Sequence, residues 1–288
     1  MDHALVVGLH LLHAMASLAL VCIGLAVIFG MLRVINFAHG EFLMVGGYAF
    51  VLGAGAGLNL WVAMLVVAPA VVGALGFLVE RFIIRHLRGD IIATILATWG
   101  LSLFLIGLAA TVLGYHQQGV APPFGTIQIG SYSIGNYTFF VIAVAVLTIV
   151  ALFAWLRWSR AGLLVRGAMQ NPELAAALGA DTRRLRSSTF VLGSALSGLA
   201  GAVLAPLAGV LPEIGATYVV KAFITVISGG ATALTGTTLA AALFGFTSQA
   251  AAFLSRPVVG EVALLIVAIV LLRLLPTGIT GRYFRKAL

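Results

Sequence analysis

Charge is what this sequence most lacks. Only 8% of its 288 residues are Asp, Glu, Lys or Arg, against roughly 25% in a soluble domain. A water-facing surface cannot be built from so little, so lipid must be the solvent over most of the chain. Cysteine is nearly absent as well. The single Cys22 excludes an intrachain disulfide and any cysteine-rich metal site. No GxxxxGK[ST], HExxH or GxSxG occurs, so P-loop nucleotide binding, zincin chemistry and the serine-hydrolase elbow are excluded. The six histidines are scattered. His10 and His13 share a helical face but have no third ligand nearby, and helix packing explains them. No lysine precedes Lys221.

What is present is hydrocarbon. The chain is 62% hydrophobic with mean hydropathy +1.16, and several runs reach the ~20 residues that cross a bilayer as helix. The spans read as Gly8–Gly30, Glu41–Gly57, Trp61–Val79, Ile91–Leu113, Tyr137–Leu156, Ser187–Val210, Tyr218–Leu234, Thr237–Leu254 and Val258–Leu275. The second, seventh and eighth are short and glycine-interrupted, so the expected fold is an all-α polytopic membrane protein of eight to nine transmembrane helices, some short or broken. Leu5–Phe29 reads as a retained span and not a signal peptide.

The net charge of +8 would suggest nucleic acid in a soluble protein. Here it reads as loop charge that sets topology, with no nucleic-acid partner. Arg81, Arg85 and Arg88 fill one loop, five arginines lie in Ser159–Arg186, and Arg282, Arg285 and Lys286 form the tail. Gly114–Asn136 has no charged residue at all. The positive-inside rule then places the tail and the central island in the cytoplasm and Gly114–Asn136 outside.

Two breaks interrupt the apolar pattern. The first, Met31–Gly47, puts Arg33, Asn36, His39 and Glu41 within nine residues. Polar groups at that depth are costly unless they line a cavity or pair. The segment reads either as a broken helix lining a substrate path or as an ordinary cytoplasmic loop with a helix cap. The second, Ile227–Gly236, is rich in Gly, Ser and Thr and includes Ser228 and Thr232. It suits exposed backbone carbonyls on a path, or a plain tight turn. Arg256 is expected to pair with Glu261.

The central island, residues 159–186, divides the chain into a first half, 1–158, and a second half, 187–288, of one membrane domain. Within it Asn171 suits an N-cap, Pro172 the first helical position and Glu173 the positive end of the helix dipole. Gly179 suits the left-handed C-terminal position. The product is a two-turn helix with Leu174 and Leu178 on one face. So short a helix is marginal alone, so it must pack on its own bundle or on a partner.

These residues carry a resemblance. Arg160–Asp181, with Arg160, Gly162, Arg166, Asn171-Pro172-Glu173, Leu178-Gly179 and Asp181, resembles the coupling loop of ABC importer permeases. Ile35–Glu41 (INFAHGE) and Pro276–Arg282 (PTGITGR) are similar to motifs of the H-type (LivH-like) permeases of branched-chain amino-acid importers. The resemblance spans essentially the whole chain. Two features depart from it. Thr232 and Thr235 stand where that family commonly has glycine and proline, and Gly167 stands where alanine is usual.

The resemblance implies a second related permease subunit, two cytoplasmic ATPase subunits, and a periplasmic or lipid-anchored binding protein delivering branched-chain amino acids or a related solute such as urea or an amide. It implies no catalysis and no cofactor in this chain, with ATP and Mg in the partner subunits. The location implied is the bacterial inner membrane, multi-pass, with the C-terminus in the cytoplasm. The coupling residues would be those of Arg160–Asp181, and Asn36, His39, Glu41, Ser228 and Thr232 would face the path. A secondary transporter using His39 and Glu41 as a proton relay is the alternative from another class.

Overall fold

The computed structural model describes residues 2–32, 34–87, 90–230 and 232–281. Arg33, Arg88, Arg282, Arg285 and Lys286 lie outside the described residues. Helices dominate because, without water, each backbone N–H and C=O must bond within its own segment. They are α1 (Asp2–Leu32), α2 (His39–Gly55), α3 (Leu60–Val62), α4 (Ala68–Phe82), α5 (Ile91–Leu113), α6 (Tyr137–Trp158), α7 (Arg160–Gln170), α8 (Pro172–Ala177), α9 (Thr182–Ala208), α10 (Ile214–Gly229), α11 (Ala233–Leu254) and α12 (Pro257–Leu274). A π-turn, Ala63–Val67, joins α3 to α4, so Leu60–Phe82 runs as one apolar rod. Pro69 explains the widened turn: it has no N–H to give the Leu65 carbonyl, and its ring would collide there in a regular helix.

Among the described residues seven helices are long and apolar enough to cross a membrane. Two elements expected as spans are shorter. Helix α2 has 17 residues. Helix α10 has 16 residues and stops at Gly229, ahead of the expected end at Leu234, because Gly230 turns the chain at φ +84°.

The chain forms two compact units. The unit built from 23–120 and 150–220 is organised on α9. One stripe of α9 is made of small residues: Gly193, Ser194, Ser197, Gly198 and Gly201. A Cβ on Gly46 of α2 would land on the Gly198 carbonyl, and one on Gly201 would land on the Leu43 carbonyl. Gly24 of α1 meets Gly193 in the same way, and Gly76 of α4 meets the Ser194 side chain. Between helices in lipid there is no hydrophobic drive, so close van der Waals approach over small residues replaces it. Phe42 and Phe190 add an edge-to-face pair with centroids 6.3 Å apart.

The unit built from 1–22, 121–149 and 221–288 has an apolar core of Ala240, Phe244, Leu264 and Ala268 between α11 and α12. Gly260 of α12 lies against the Ser248 carbonyl of α11. Its other element is an antiparallel hairpin, β1 (Thr126–Ile129) with β2 (Tyr132–Gly135), in register Ile129↔Tyr132. Gly130 opens its two-residue turn at φ +59°, the glycine-first pattern of a tight hairpin. His3 rests on Tyr132 with ring centroids 5.8 Å apart. The sequence pattern showed only an uncharged loop here. The expected Arg256–Glu261 pair is also corrected: Lys221 Nζ sits 2.6 Å from Glu261 Oε1.

Candidate functional site

Three groups of the expected residues occupy defined places. The first is the central island. Ser159 caps α7 by accepting from Gly162 N–H at 2.8 Å, and Gly162 packs on the Trp155–Leu156 backbone. Sequence reasoning missed α7, although the capping residue Ser159 and the three-residue spacing of the small or apolar Gly162, Val165 and Ala168 were available. Asn171 caps α8 as its residue type required, with Oδ1 accepting from Leu174 N–H at 2.9 Å. At the other end Gly179 lies at φ +88°. Its N–H donates to Ala176 O at 2.9 Å, and Ala180 N–H to Ala175 O at 3.0 Å. That pair of crossed bonds is a Schellman motif.

Asp181 is the N-cap of α9. Its Oδ1 accepts from Arg184 N–H at 3.0 Å, and its Oδ2 pairs with Arg184 Nε at 3.0 Å. Helices α7 and α8 rest on a small apolar core of Met31, Val165 and Ala168, joined by Ala175 and Leu185. Leu174 and Leu178 do not join it; Leu178 is 81% exposed. Arg160 and Glu173 are exposed, and Arg166 reaches the Arg157 carbonyl at 3.5 Å. The island thus has an inner face that packs on its own bundle and an outer face with two unpacked leucines among charges.

The second group is the first break. Asn36, His39 and Glu41 are all buried, which an ordinary exposed loop would not give. Asn36 Oδ1 accepts from Ala38 N–H at 3.1 Å, an Asx turn that starts α2. His39 Nδ1 meets Ser197 Oγ at 3.2 Å. The Ser197 hydroxyl lies 2.9 Å from the Gly193 carbonyl and gives its one proton there, so His39 is the donor. Glu41 is hydrogen-bonded to Ser102 of α5 and lies in the first turn of α2, against the positive end of the helix dipole. Thr98 of α5 accepts from Phe37 N–H at 3.2 Å.

The buried face of α5 is therefore a hydroxyl ladder, Thr94, Thr98 and Ser102, one turn apart. Ser197, Thr98 and Ser102 were invisible to sequence reasoning, because each lies far along the chain from the group it serves. Among the described residues Asn36 Nδ2, Glu41 Oε2 and the Tyr48 hydroxyl have no hydrogen-bond partner. Buried polar atoms without partners are rare in proteins and ask for a ligand or water.

The third group, the second break, lies in the other unit. Ser228 is buried, and its hydroxyl has no partner among the described residues. The carbonyls that end α10 are capped by the segment after α12: Ile279 N–H donates to Ser228 O at 2.9 Å and Thr280 N–H to Gly229 O at 3.2 Å. The Thr280 hydroxyl donates to Gly229 O at 2.7 Å and accepts from Thr232 N–H at 3.1 Å. One hydroxyl thus holds the end of α10 to the start of α11. Sequence reasoning used Pro276–Arg282 only as a motif and missed this contact. Gly230 and Gly278 let the two backbones touch.

Apolar helices in this number, packed on glycine, with buried polar breaks and capped helices in a charged loop, define a multi-pass membrane protein. The model of the branched-chain amino acid transport system permease component family matches residues 9–275, and the chain belongs to that family. It is 31% identical over 285 residues to the high-affinity branched-chain amino acid transport system permease protein LivH of Escherichia coli K12, covering 93% of this chain and 92% of that protein. It is 30% identical to BraD of Pseudomonas aeruginosa over the same shares. It is 27% identical to a probable LivH of Methanocaldococcus jannaschii, covering 93% of this chain and 90% of that protein. A solved structure, PsaBC from Streptococcus pneumoniae in complex with Fab, aligns over 97% of this chain and 94% of that chain at 15% identity and a TM-score of 0.49. The family assignment stands without it.

Proposed function

We propose that this chain is a permease subunit of a binding-protein-dependent ABC importer that moves leucine, isoleucine, valine or related amino acids across the inner membrane by ATP-driven alternating access. Its partners are a second related permease subunit, two cytoplasmic ATPase subunits that hold ATP and Mg, and a periplasmic or lipid-anchored binding protein. The whole chain is one permease domain, with halves 1–158 and 187–288 flanking the cytoplasmic loop 159–186 and the C-terminus in the cytoplasm. The observation that carries this reading is the family match over residues 9–275.

Helix α8 is the element that meets an ATPase. Its caps are complete at both ends, and Leu174 and Leu178 face outward, as knobs for a partner's socket. Arg160, Arg166 and Glu173 surround them with charge, while Gly162, Asn171, Pro172, Gly179 and Asp181 hold the backbone in shape. Buried atoms at each break lack a hydrogen-bond partner among the described residues, Asn36 Nδ2 and Glu41 Oε2 in one and the Ser228 hydroxyl in the other; their residues are the candidates to face the passing solute, with His39 and Thr232 beside them. His39 is engaged by Ser197 and Glu41 by Ser102, so each is anchored to a different helix, which disfavours a proton relay between them.

Leu178→Asp tests the reading. Leu178 is 81% exposed, so the change costs folding no more than about 0.5 kcal/mol. It places a charge where a socket would bury an apolar side chain, which costs several kcal/mol. Expected in proteoliposomes holding all subunits is normal abundance with ATP-dependent leucine uptake lost. Uptake at the wild-type rate refutes docking through α8.

A further inference from the structure

The unit built on α9 contains a recess of about 270 Å³ near the charged ends of its helices. It is just below the roughly 300–1,000 Å³ of pockets that take drug-sized ligands, a size suited to one small molecule. Most of its wall is aliphatic, including Leu32, Ile35, Ile84 and Ile91. Among the described residues three charged side chains line it: Glu80 at the end of α4, Asp90 at the start of α5 and Arg186 in the first turns of α9.

The charges are not used equally by the fold. Glu80 pairs with Arg85 at 3.1 Å. Asp90 gives one oxygen to α5, accepting from Ala93 N–H at 2.9 Å. Arg186 is only partly exposed and has no ion-pair partner among the described residues. A guanidinium offers a planar fork of donors that matches a carboxylate in two places. A carboxylate such as Asp90 offers acceptors to an ammonium group.

We infer that this recess binds an aliphatic α-amino acid on the cytoplasmic side, with Arg186 taking the α-carboxylate, Asp90 the α-ammonium and the aliphatic wall the branched side chain. The site rests on the importer reading above. It gives the solute a resting place after the membrane path, at the helix ends where α4, α5 and α9 begin or finish. Neither charge alone selects a zwitterion. An amine lacking the carboxylate leaves Arg186 without a partner, and an acid lacking the ammonium places its charge near Asp90 and Glu80. Unpaired groups of this kind make a polar site reject the analogue that lacks the matching group.

The test uses the complete transporter in nanodiscs, open to solution on both faces, without binding protein and with tritiated L-leucine as the probe. Saturable binding is expected. Valine and isoleucine should compete, while 3-methylbutylamine and 4-methylpentanoate should not. Arg186→Gln and Asp90→Asn should each weaken binding at least tenfold. Asn caps a helix as well as Asp, so Asp90→Asn leaves α5 intact, and Arg186→Lys should restore part of the affinity.

ATP-dependent leucine uptake is measured on the same purified complexes sealed into proteoliposomes with the binding protein added. Binding that is equal in Arg186→Gln, Asp90→Asn and wild type overturns the recess. So does absence of saturable binding in a complex that takes up leucine. A wild-type complex that takes up no aliphatic amino acid at all overturns the importer reading itself, which is a separate result.

Discussion

The Thr280 hydroxyl bridges the end of α10 and the start of α11, and Thr280→Val removes it while keeping the shape. Two bonds are lost: the donation to Gly229 O at 2.7 Å and the acceptance from Thr232 N–H at 3.1 Å. They are not equal in consequence. Gly229 O keeps the Thr280 backbone N–H at 3.2 Å, so its loss is partial. The Thr232 N–H is left without that acceptor in a partly buried place. An orphaned buried donor costs about 1–3 kcal/mol, and partial exposure puts this one in the lower part of that range. A cost of about 1–2 kcal/mol shifts the folded-to-unfolded ratio about 5–30-fold.

Cys22 offers the assay. It is the single cysteine of the chain, it is fully buried, and it is hydrogen-bonded to Thr225 of α10. A thiol-reactive dye therefore labels the purified chain in detergent only after opening near α10. Thr280→Val should label about 5–30 times faster than wild type, and Thr280→Ser, which keeps the hydroxyl, should stay near wild type. Equal labelling of Thr280→Val and wild type refutes the bridge. Equal acceleration by Val and Ser shows that packing of the methyl group, and not the hydroxyl, holds the break.

Two further outcomes follow from contacts elsewhere. A Cβ on Gly198 would sit 2.7 Å from Val72 Cβ and 2.9 Å from the Ala68 carbonyl oxygen, so Gly198→Val should cost about 3 kcal/mol and sharply lower the monodisperse yield in size-exclusion chromatography; a normal yield refutes the close-packing account. The Glu213 carboxylate hydrogen-bonds the Tyr115 phenol, and that bond, then local desolvation and then the nearby negative charge, hold its pKa above the ordinary value of 10.0. The neutral phenol is the favoured form, so the contact persists below the ordinary value and is lost as pH rises through the raised one. In ¹³C-tyrosine NMR, Glu213→Gln should bring the Tyr115 titration back toward the ordinary value, and an unmoved titration refutes the contact.

The features legible in the sequence are those written locally. Asn171, Pro172 and Gly179 announced α8, because a cap depends on residues within one turn. The apolar runs announced the long spans, because a bilayer sets their length. What could not be read is long-range. Ser197 serves His39 from 158 residues away, and Thr280 serves Gly229 from 51. A lone Ser or Thr in an apolar helix gives no sign of which backbone it will meet. The hairpin is an intermediate case. Thr126–Gly135 alternates around a Gly-Ser turn, a real local signal, but the lack of charge around it reads equally well as loop. The end of α10 was misplaced by several residues because Ala231, Ala233 and Leu234 continue the apolar pattern beyond a glycine pair that breaks it.

A membrane pump driven from outside needs parts that transmit a push without deforming. The unit on α9 meets that need through the absence of side chains. At Gly46–Gly198, Gly24–Gly193 and Gly201–Leu43 the backbones themselves are in contact, so there is no rotamer to yield, and a packed interior of this kind transmits strain. The small core beneath α7 and α8 includes Met31, near the end of α1, whose sulfur touches the Thr189 hydroxyl of α9 at 2.8 Å. Asn36, His39 and Glu41 follow within the same unit. On the proposed function, a force applied at Leu174 and Leu178 therefore passes into the ends of α1 and α9. Residues 34–38 are not helical, and a short stretch of that kind is where a change of φ and ψ can be absorbed. The polar groups without partners lie beside that stretch, so the place able to bend is also the place whose hydrogen bonds are incomplete.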